Sequence, residues 1–246
     1  MTFKDLFSAQ SADYARFRPT YPQELFTWLA SVAPARDCAV DVATGNGQAA
    51  VMLAPHFSRV MALDASAAQV AEATPHERVT YGVAGAEATG LDPASVDLLT
   101  VAQAFHWFGQ ARFFAEAERV LRPGGVLAVW CYGHLHIDPA VDAIVRHLYA
   151  DIVGPYWEPE RRLVEDGYRS VSFPFARLEP PPFESVLEWT LEHLLGYLRT
   201  WSALKAYARA HGVDPVVALI PDFQRAWGGV ATRAARWPLS VHASRR

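Results

Sequence analysis

Residues 38–48, which read CAVDVATGNGQ, constrain the fold more than any other segment of the chain. The apolar residues around Asp41 predict a short buried strand, residues 44–47 predict a tight turn, and a helix is expected over residues 48–54. In an α/β sheet, this order places bare backbone and a helix N-terminus at the carboxyl end of a strand, where nucleotide-like ligands bind. The segment therefore predicts an α/β fold with a ligand site at the glycine-rich turn.

The alternation of strands and helices continues along residues 36–130. Further apolar runs predict strands at 60–63, 79–83, 96–101 and 126–130, helices at 67–73 and 110–121, and a sharp turn at 122–125. Such alternation predicts a mostly parallel sheet with helices on both of its faces. Outside this core, helices are expected at 23–33 and 139–153, one or two helices at 191–211, and strands at 183–189 and 236–243.

Composition and charge narrow the class of protein. The chain has 246 residues, 51% of them hydrophobic, which suits one large domain, and its net charge of −4 argues against nucleic acid as the main partner. Cys38 and Cys131 fall in predicted core strands, so we expect buried reduced thiols. His134 and His136 have no cysteine nearby and no matched pair of acids at the spacing of zinc enzymes, so they are expected to be solvent-facing loop histidines and no metal site is expected. Without a signal peptide or a run of about 18 apolar residues, the chain is expected to be a soluble cytoplasmic protein that does not bind a membrane.

Two carboxylates beside the turn indicate which ligand it binds. Asp64 follows Gly45 by about 20 residues, so the segment also fits the G-x-G-x-x-A pattern of dinucleotide-binding enzymes. An acid at the end of the second strand can hold the ribose hydroxyls of adenosine in either class of cofactor. Asp41 would face a pyrophosphate unfavourably, but it suits a ligand that carries a cationic amine. This favours S-adenosylmethionine, with a nicotinamide-dependent oxidoreductase as the alternative.

The order of several motifs is similar to that of a known family. The motifs are Asp41 with Gly45 and Gly47, then Asp64, residues 85–87 (Gly-Ala-Glu), residues 103–107 (Gln-Ala-Phe-His-Trp) and residues 121–125 (Leu-Arg-Pro-Gly-Gly). They resemble class I S-adenosylmethionine-dependent methyltransferases, and more narrowly the small-molecule group (methyltransferase type 11) that includes trans-aconitate methyltransferase-like proteins. Residues 14–22 and 200–202 resemble that group too, so the likeness covers nearly the whole chain. The chain departs from the pattern at Ala43, where many members have the first glycine of the loop.

The resemblance implies a fold and a domain organisation. The expected fold is a Rossmann-like, seven-stranded, mostly parallel sheet with an antiparallel last strand, plus a helical cap. Residues 1–246 would form one domain, with an N-terminal lid at 1–35, a cofactor-binding core at 36–134, an inserted cap at 135–211 and a C-terminal part at 212–246 that completes the sheet. The expected acceptor is a small molecule, with a carboxylic acid favoured. A homodimer is the candidate assembly.

The resemblance also assigns cofactor-binding roles to named residues. These residues are Tyr14, Arg18, Asp41, Ala43, Thr44, Gly45, Gly47, Asp64, Ala65, Ala86, Glu87, Gln103, Ala104 and Trp107. Asp41 would help to hold the methionine amino group, and Asp64 would bind the ribose hydroxyls. Ala86 and Glu87 would line the adenine pocket, and Gln103 would lie under the methionyl part.

Four residues are expected to cover the cofactor or to face its methyl group. Tyr14 and Arg18 would fold over it, because a guanidinium group suits the carboxylate of the methionyl part. His106 is the candidate catalytic residue and would face the methyl group together with Trp107. It would act as a general base, or it would orient Trp107 or cap a backbone group. Methyl transfer to a carboxylate needs no deprotonation at pH 7.

Each of these assignments has a structural alternative. Asp41 could hold the neighbouring turn, Asp64 could be a helix N-cap, and Glu87 could be a solvated loop residue. Arg161 and Arg162 either form a solvated helix face or recognise a carboxylate on the acceptor. The whole chain could also be a methyltransferase-like module that binds the cofactor without turnover.

Overall fold

The computed structural model describes residues 16–246 and contains an eight-stranded sheet with helices on both faces. The strands are β1 (Cys38–Val42), β2 (Arg59–Asp64), β3 (Val79–Val83), β4 (Val96–Ala102), β5 (Leu121–Tyr132), β6 (Ala176–Leu178), β7 (Phe183–Trp189) and β8 (Arg233–Arg245). The helices are α1 (Gln23–Val32), α2 (Gln48–Leu53), α3 (Ala67–Ala71), α4 (Gln110–Val120), α5 (Pro139–Arg146), α6 (Arg161–Glu165), α7 (Leu191–Arg199), α8 (Ser202–His211) and α9 (Pro215–Trp227).

The strand order confirms the predicted fold class. Along the sheet the order is β3-β2-β1-β4-β5-β8-β6, with β7 also paired to β8, and neighbouring strands from β3 to β5 are parallel. The last strand, β8, is antiparallel to β5, β6 and β7. The sheet has eight strands instead of seven because two strands share the outer edge of β8. β6 pairs near Ala243, while β7 pairs between Arg233 and Leu239.

The two faces of the sheet carry separate hydrophobic clusters. Along β5, Val126 and Trp130 belong to the larger cluster, while Leu127 and Val129 belong to the smaller one. This follows from the alternation of side chains along a strand, and the central strands are apolar on both faces because both faces are covered. The larger cluster also includes residues of α1, α2 and the helices after β5, whereas the smaller one includes Phe113 of α4.

The start of β5 differs from the predicted turn. α4 ends at Val120, and the residues expected to form a turn at 122–125 lie inside β5, where the pairing with β4 is irregular. Arg122 holds this region because its guanidinium lies 2.8 Å from the buried carboxylate of Asp97. That carboxylate also accepts the N–H of Cys38, 2.8 Å away, so one ion pair joins the starts of β1, β4 and β5.

The helices after β5 agree only in part with the prediction. The predicted helix 139–153 is α5 followed by a π turn, and the segment 191–211, predicted as one or two helices, forms the two helices α7 and α8. The helix α9 was not predicted; it begins after Asp214, whose side chain accepts the N–H of Val216 at 2.9 Å. It contains Pro221, a residue that usually interrupts helices. Within the described residues, no helix is long and apolar enough to cross a membrane.

Candidate cofactor site

The turn after β1 lies where three strand ends meet. β1 is hydrogen-bonded to both β2 and β4, so the carboxyl ends of these strands are neighbours. Ala43, Gly45 and Gly47 have φ angles of 54°, 58° and 86°. A Cβ on Gly47 would collide with the hydroxyl oxygen of Tyr81, and the φ angle of Gly47 is one that other residues rarely adopt, so this position favours glycine. Ala43 adopts the left-handed conformation at a cost of about 1–2 kcal/mol, and such strain is concentrated at functional sites.

Asp41 lies beneath this turn and is 1% exposed. Its Oδ2 accepts a hydrogen bond from Thr44 Oγ1 at 2.6 Å, and its Oδ1 accepts one from Thr100 Oγ1 at 2.7 Å. Burial raises the pKa of Asp41 to about 6, although the two threonine hydroxyls act in the opposite direction and the charge of Asp64 adds to the rise. The carboxylate therefore joins the turn to β1 and β4, which agrees with the alternative role in which Asp41 holds the neighbouring turn. Its contact with a cofactor stays a prediction.

Asp64 ends β2 and connects the two neighbouring strand ends. Its Oδ2 accepts the N–H of Gly45 and its Oδ1 accepts the N–H of Ser66, each at 2.8 Å. The N-cap of α3 is Ser66, whose hydroxyl accepts the N–H of Gln69 at 3.3 Å, so the interpretation of Asp64 as a helix N-cap is wrong. Ala65, next to Asp64, is exposed. The strand end thus presents a carboxylate held in place by two backbone N–H groups.

The loop after β3 carries Ala86 and Glu87. Glu87 is not a free loop residue: it accepts the N–H of Gly109 at 2.7 Å and pairs with Arg112 of α4. The hydrogen bond with Arg112 is the main reason why the pKa of Glu87 is lowered. The Glu87 carboxylate is therefore directed to the start of α4. Ala86 packs against the smaller hydrophobic cluster, so an adenine contact in this loop would fall to Ala86 and the backbone.

Gln103 follows β4 and is strained. Its φ angle is 59°, and its N–H donates to the carbonyl oxygen of Trp130 at 2.9 Å. The side-chain Nε2 is buried and has no hydrogen-bond partner among the described residues. A buried donor without a hydrogen-bond partner lowers the stability of the folded protein by about 1–3 kcal/mol unless another group accepts its hydrogen. Gln103 lines the end of β4 together with Ala104, which packs on the smaller cluster.

His106 lies in a short 3₁₀ turn, Phe105–Trp107, just beyond Gln103. Its Nδ1 is 3.0 Å from the hydroxyl of Tyr168, and its ring centroid is 4.7 Å from that of Trp107. Burial, and then the charge of Arg161, lower the pKa of His106 to about 3. The ring is therefore neutral at pH 7 and is a weak base, and its contact with Trp107 fits the orienting role.

Arg18 connects the N-terminal segment to the end of β5. Its guanidinium donates to the hydroxyl of Tyr132 at 2.5 Å and to the carbonyl of Thr200 at 3.4 Å. Its Cζ also lies 5.7 Å from the ring centroid of Tyr197. These contacts place Arg18 beside the carboxyl end of β5, near the predicted site. The other residue predicted to cover the cofactor, Tyr14, lies outside the described residues.

The two histidines after β5 have separate surroundings. His134 packs edge-on against Tyr149, with ring centroids 5.1 Å apart, and His136 Nδ1 lies 3.4 Å from Asp142. Within residues 16–246, no group of three or more His, Cys, Asp or Glu side chains is arranged to hold a metal ion.

Comparison with known proteins decides the family. The model of a methyltransferase domain family matches residues 40–129. A protein of Dictyostelium discoideum, provisionally named a methyltransferase, is 36% identical over 216 residues, which cover 86% of this chain and 82% of the relative. The chain belongs to the class I S-adenosylmethionine-dependent methyltransferases. Its methyl donor is S-adenosyl-L-methionine, and the nicotinamide-dependent alternative is set aside.

Other similar proteins agree with this methyltransferase assignment. A solved structure from Anaeromyxobacter dehalogenans, provisionally titled a type II methyltransferase, has 49% sequence identity and a TM-score of 0.88. The match covers 93% of this chain and 98% of that chain. A Saccharomyces cerevisiae protein, provisionally named an S-adenosylmethionine-dependent methyltransferase, is 24% identical over 85% of this chain and 84% of its own length.

The methyltransferase site contains residues that sequence reasoning missed. Thr100 binds the Asp41 carboxylate, Tyr168 binds His106, and Tyr81 packs on the glycine turn. Thr100 could have been noticed as a hydroxyl in the otherwise apolar end of β4. Tyr168 gives no sequence signal, because it follows α6 and is 62 residues from His106.

Proposed function

We propose that this methyltransferase acts on a small-molecule acceptor and methylates its carboxylic acid group. The observation that carries the proposal is His106 at the end of β4, whose Nδ1 is engaged by the Tyr168 hydroxyl 3.0 Å away and whose pKa is lowered to about 3 by burial and then by the charge of Arg161. A base that binds a proton so weakly gives little help in deprotonating a phenol or an amine. A carboxylic acid is already ionised at pH 7 and needs no base. The resemblance to trans-aconitate methyltransferase-like proteins supports the same acceptor class.

The side chains at the ends of β1, β2 and β4 fit S-adenosylmethionine. Asp64 would hold the ribose hydroxyls, because each of its oxygens keeps a lone pair after accepting one N–H. Gln103 would donate its unpartnered Nε2–H to the methionyl part. The carboxylate of Asp41, beneath the turn, would attract the ammonium group of the methionyl part. When bound, the cofactor supplies an electrophilic sulfonium methyl group.

The contribution of the remaining residues is to position the acceptor and exclude water. Sulfonium methyl transfer to an ionised acceptor depends mainly on orientation and a dry site. His106 and Trp107, which are in ring contact, would form one wall of the acceptor site, and Arg18, which binds Tyr132, would form the wall at the adjoining strand end. We assign the acceptor pocket to the space between these residues and the cap at 135–211, with residues 1–35 as the lid.

The acceptor proposal is tested by measuring S-adenosylhomocysteine release with separate sets of small carboxylic acids, phenols and amines. We expect methyl esters of one or more acids, identified by mass spectrometry, and a kcat that is independent of pH from about 6 to 9 because no base titrates there. Products from phenols or amines alone would contradict the acceptor class. Cofactor binding without product from any set would favour a module without turnover.

The proposal includes a cytoplasmic homodimer. The thiols of Cys38 and Cys131 are free and buried, which supports a reducing compartment. Sedimentation velocity of the purified protein tests the dimer, and a monomer at all concentrations would refute it.

A further inference from the structure

Three aromatic side chains and one cation form a cluster beside the predicted acceptor pocket. The cluster consists of Tyr149, Trp157, Trp201 and Arg161. The ring centroids of Tyr149 and Trp157 are 4.8 Å apart, and each lies 5.6 Å from that of Trp201. The Cζ of Arg161 lies 4.7 Å from the Trp157 centroid and 5.7 Å from the Tyr149 centroid. A planar guanidinium stacks well on such rings.

Arg161 has no ion-pair partner among the described residues. Its Nε donates to the Tyr149 hydroxyl at 3.2 Å, and its two terminal nitrogens have no hydrogen-bond acceptor within residues 16–246. Glu165, one helical turn further along α6, accepts a hydrogen bond from the same Tyr149 hydroxyl instead of pairing with Arg161. A half-buried cation without a carboxylate is costly, and an anionic ligand would remove that cost. The neighbouring Arg162 is exposed, so the two arginines have different surroundings.

The position of α6 brings Arg161 towards the reacting end of the site. α6 packs against the 3₁₀ turn that carries His106. Tyr168, which lies shortly after the end of α6, is hydrogen-bonded to His106. The charge of Arg161 acts on three groups in this region. After burial it is the next cause that lowers the pKa values of His106 and His134, and it opposes the rise that burial gives to the pKa of Cys131 near the end of β5. Arg161 is thus close to the ends of β4 and β5.

We propose that Arg161 is the residue that selects the acceptor by binding its carboxylate, with Tyr149, Trp157 and Trp201 contacting the apolar body of the same molecule. This inference rests on the proposed function, since it names the residue that recognises the acceptor class. The guanidinium can bind a carboxylate through two parallel hydrogen bonds, which fixes the orientation of the acceptor as well as its charge. The aromatic rings favour an acid with a planar or aliphatic apolar group over a small polyacid.

The test compares acids with amides of the same shape. Benzoate, benzamide, hexanoate and hexanamide are titrated against the full chain in the presence and absence of S-adenosylhomocysteine, with binding followed by ligand-observed NMR. Each acid should bind at least about tenfold more tightly than its amide, because only the acid carries a charge for Arg161. Arg161→Met should remove this preference, Arg161→Lys should keep part of it, and the matched control Arg162→Met should leave it unchanged.

The outcomes separate this inference from the proposed function. Equal binding of acids and amides, no binding of either acid, or an acid preference that survives Arg161→Met would overturn the role of Arg161. The readout does not depend on turnover, so a failure to methylate any acceptor would affect the proposed function alone. An unchanged affinity of Arg161→Met for S-adenosylhomocysteine shows that this variant is folded.

Discussion

Asp41→Asn should stabilise the protein in the absence of ligand, and the gain should depend on pH. Burial raises the pKa of Asp41 from 3.8 to about 6. One pKa unit corresponds to about 1.4 kcal/mol, so the ionised carboxylate costs up to about 3 kcal/mol at neutral pH. Between these two pKa values the folded state keeps a proton that the unfolded state has lost, so stability falls as pH rises through this window. Asparagine does not titrate and avoids the loss.

The hydrogen bonds around Asp41 allow this substitution. The asparagine Oδ1 can accept from Thr44, and its amide can donate to Thr100 Oγ1, which can turn its own proton to the Val40 carbonyl 3.2 Å away. One amide N–H is left without a partner, which reduces the gain by about 1 kcal/mol or more. The expected net gain is therefore about 1–2 kcal/mol near pH 8.

Urea unfolding followed by tryptophan fluorescence measures this gain. The gain near pH 8 should exceed the gain near pH 4.5 by about 2 kcal/mol, because most of the difference in proton binding lies between these values. The exposed control Asp92→Asn should change the unfolding free energy by less than about 0.5 kcal/mol at either pH. A pH-independent effect of Asp41→Asn, or a gain that is larger at the lower pH, would refute the reasoning.

Three further substitutions test the site's local structure by urea unfolding. Gly47→Ala should cost at least about 2 kcal/mol, since its φ of 86° is unfavourable for alanine and the new Cβ would displace Tyr81; a cost below about 0.5 kcal/mol would contradict this. Ala43→Gly should gain up to about 1 kcal/mol by relieving its left-handed backbone, and a loss would show that no strain exists. Tyr168→Phe should cost about 1 kcal/mol and change the ring ¹⁵N shifts of His106, whereas unchanged shifts would argue against their hydrogen bond.

The sequence predicted the strands and helices whose signals are local. Most residues of β1, β2, β4 and the second half of β5 are apolar, so the positions of these strands could be predicted closely, whereas the first residues of β5, Leu-Arg-Pro-Gly-Gly, were expected to form a turn. β6 was missed because its three residues are too few for a periodic pattern. α9 was missed because Pro221 lies inside it, and its burial against the larger cluster compensates for the interrupted helix.

The contacts that define the site depend on distant residues and could not be predicted from spacing. Asp41 and Thr100 are 59 residues apart in sequence, yet they meet because β1 and β4 are neighbours. Glu87 was expected at the adenine, but the fold brings Arg112 of α4 to its carboxylate. Arg161 and Arg162 are indistinguishable in sequence. Only the packing of α6 shows that Arg161 is the one that stacks on aromatic rings.

The most direct test of the central claim is calorimetric titration of the purified protein with S-adenosylmethionine, S-adenosylhomocysteine and NADH. The account predicts micromolar binding of the two sulfur ligands and none of NADH. Asp64→Ala should weaken binding of the sulfur ligands at least about tenfold, because it removes the ribose acceptor and the partner of the Gly45 N–H. The exposed control Asp92→Ala should leave their affinity unchanged. NADH binding, or equal affinity of the sulfur ligands for Asp64→Ala and the original protein, would contradict the proposed site.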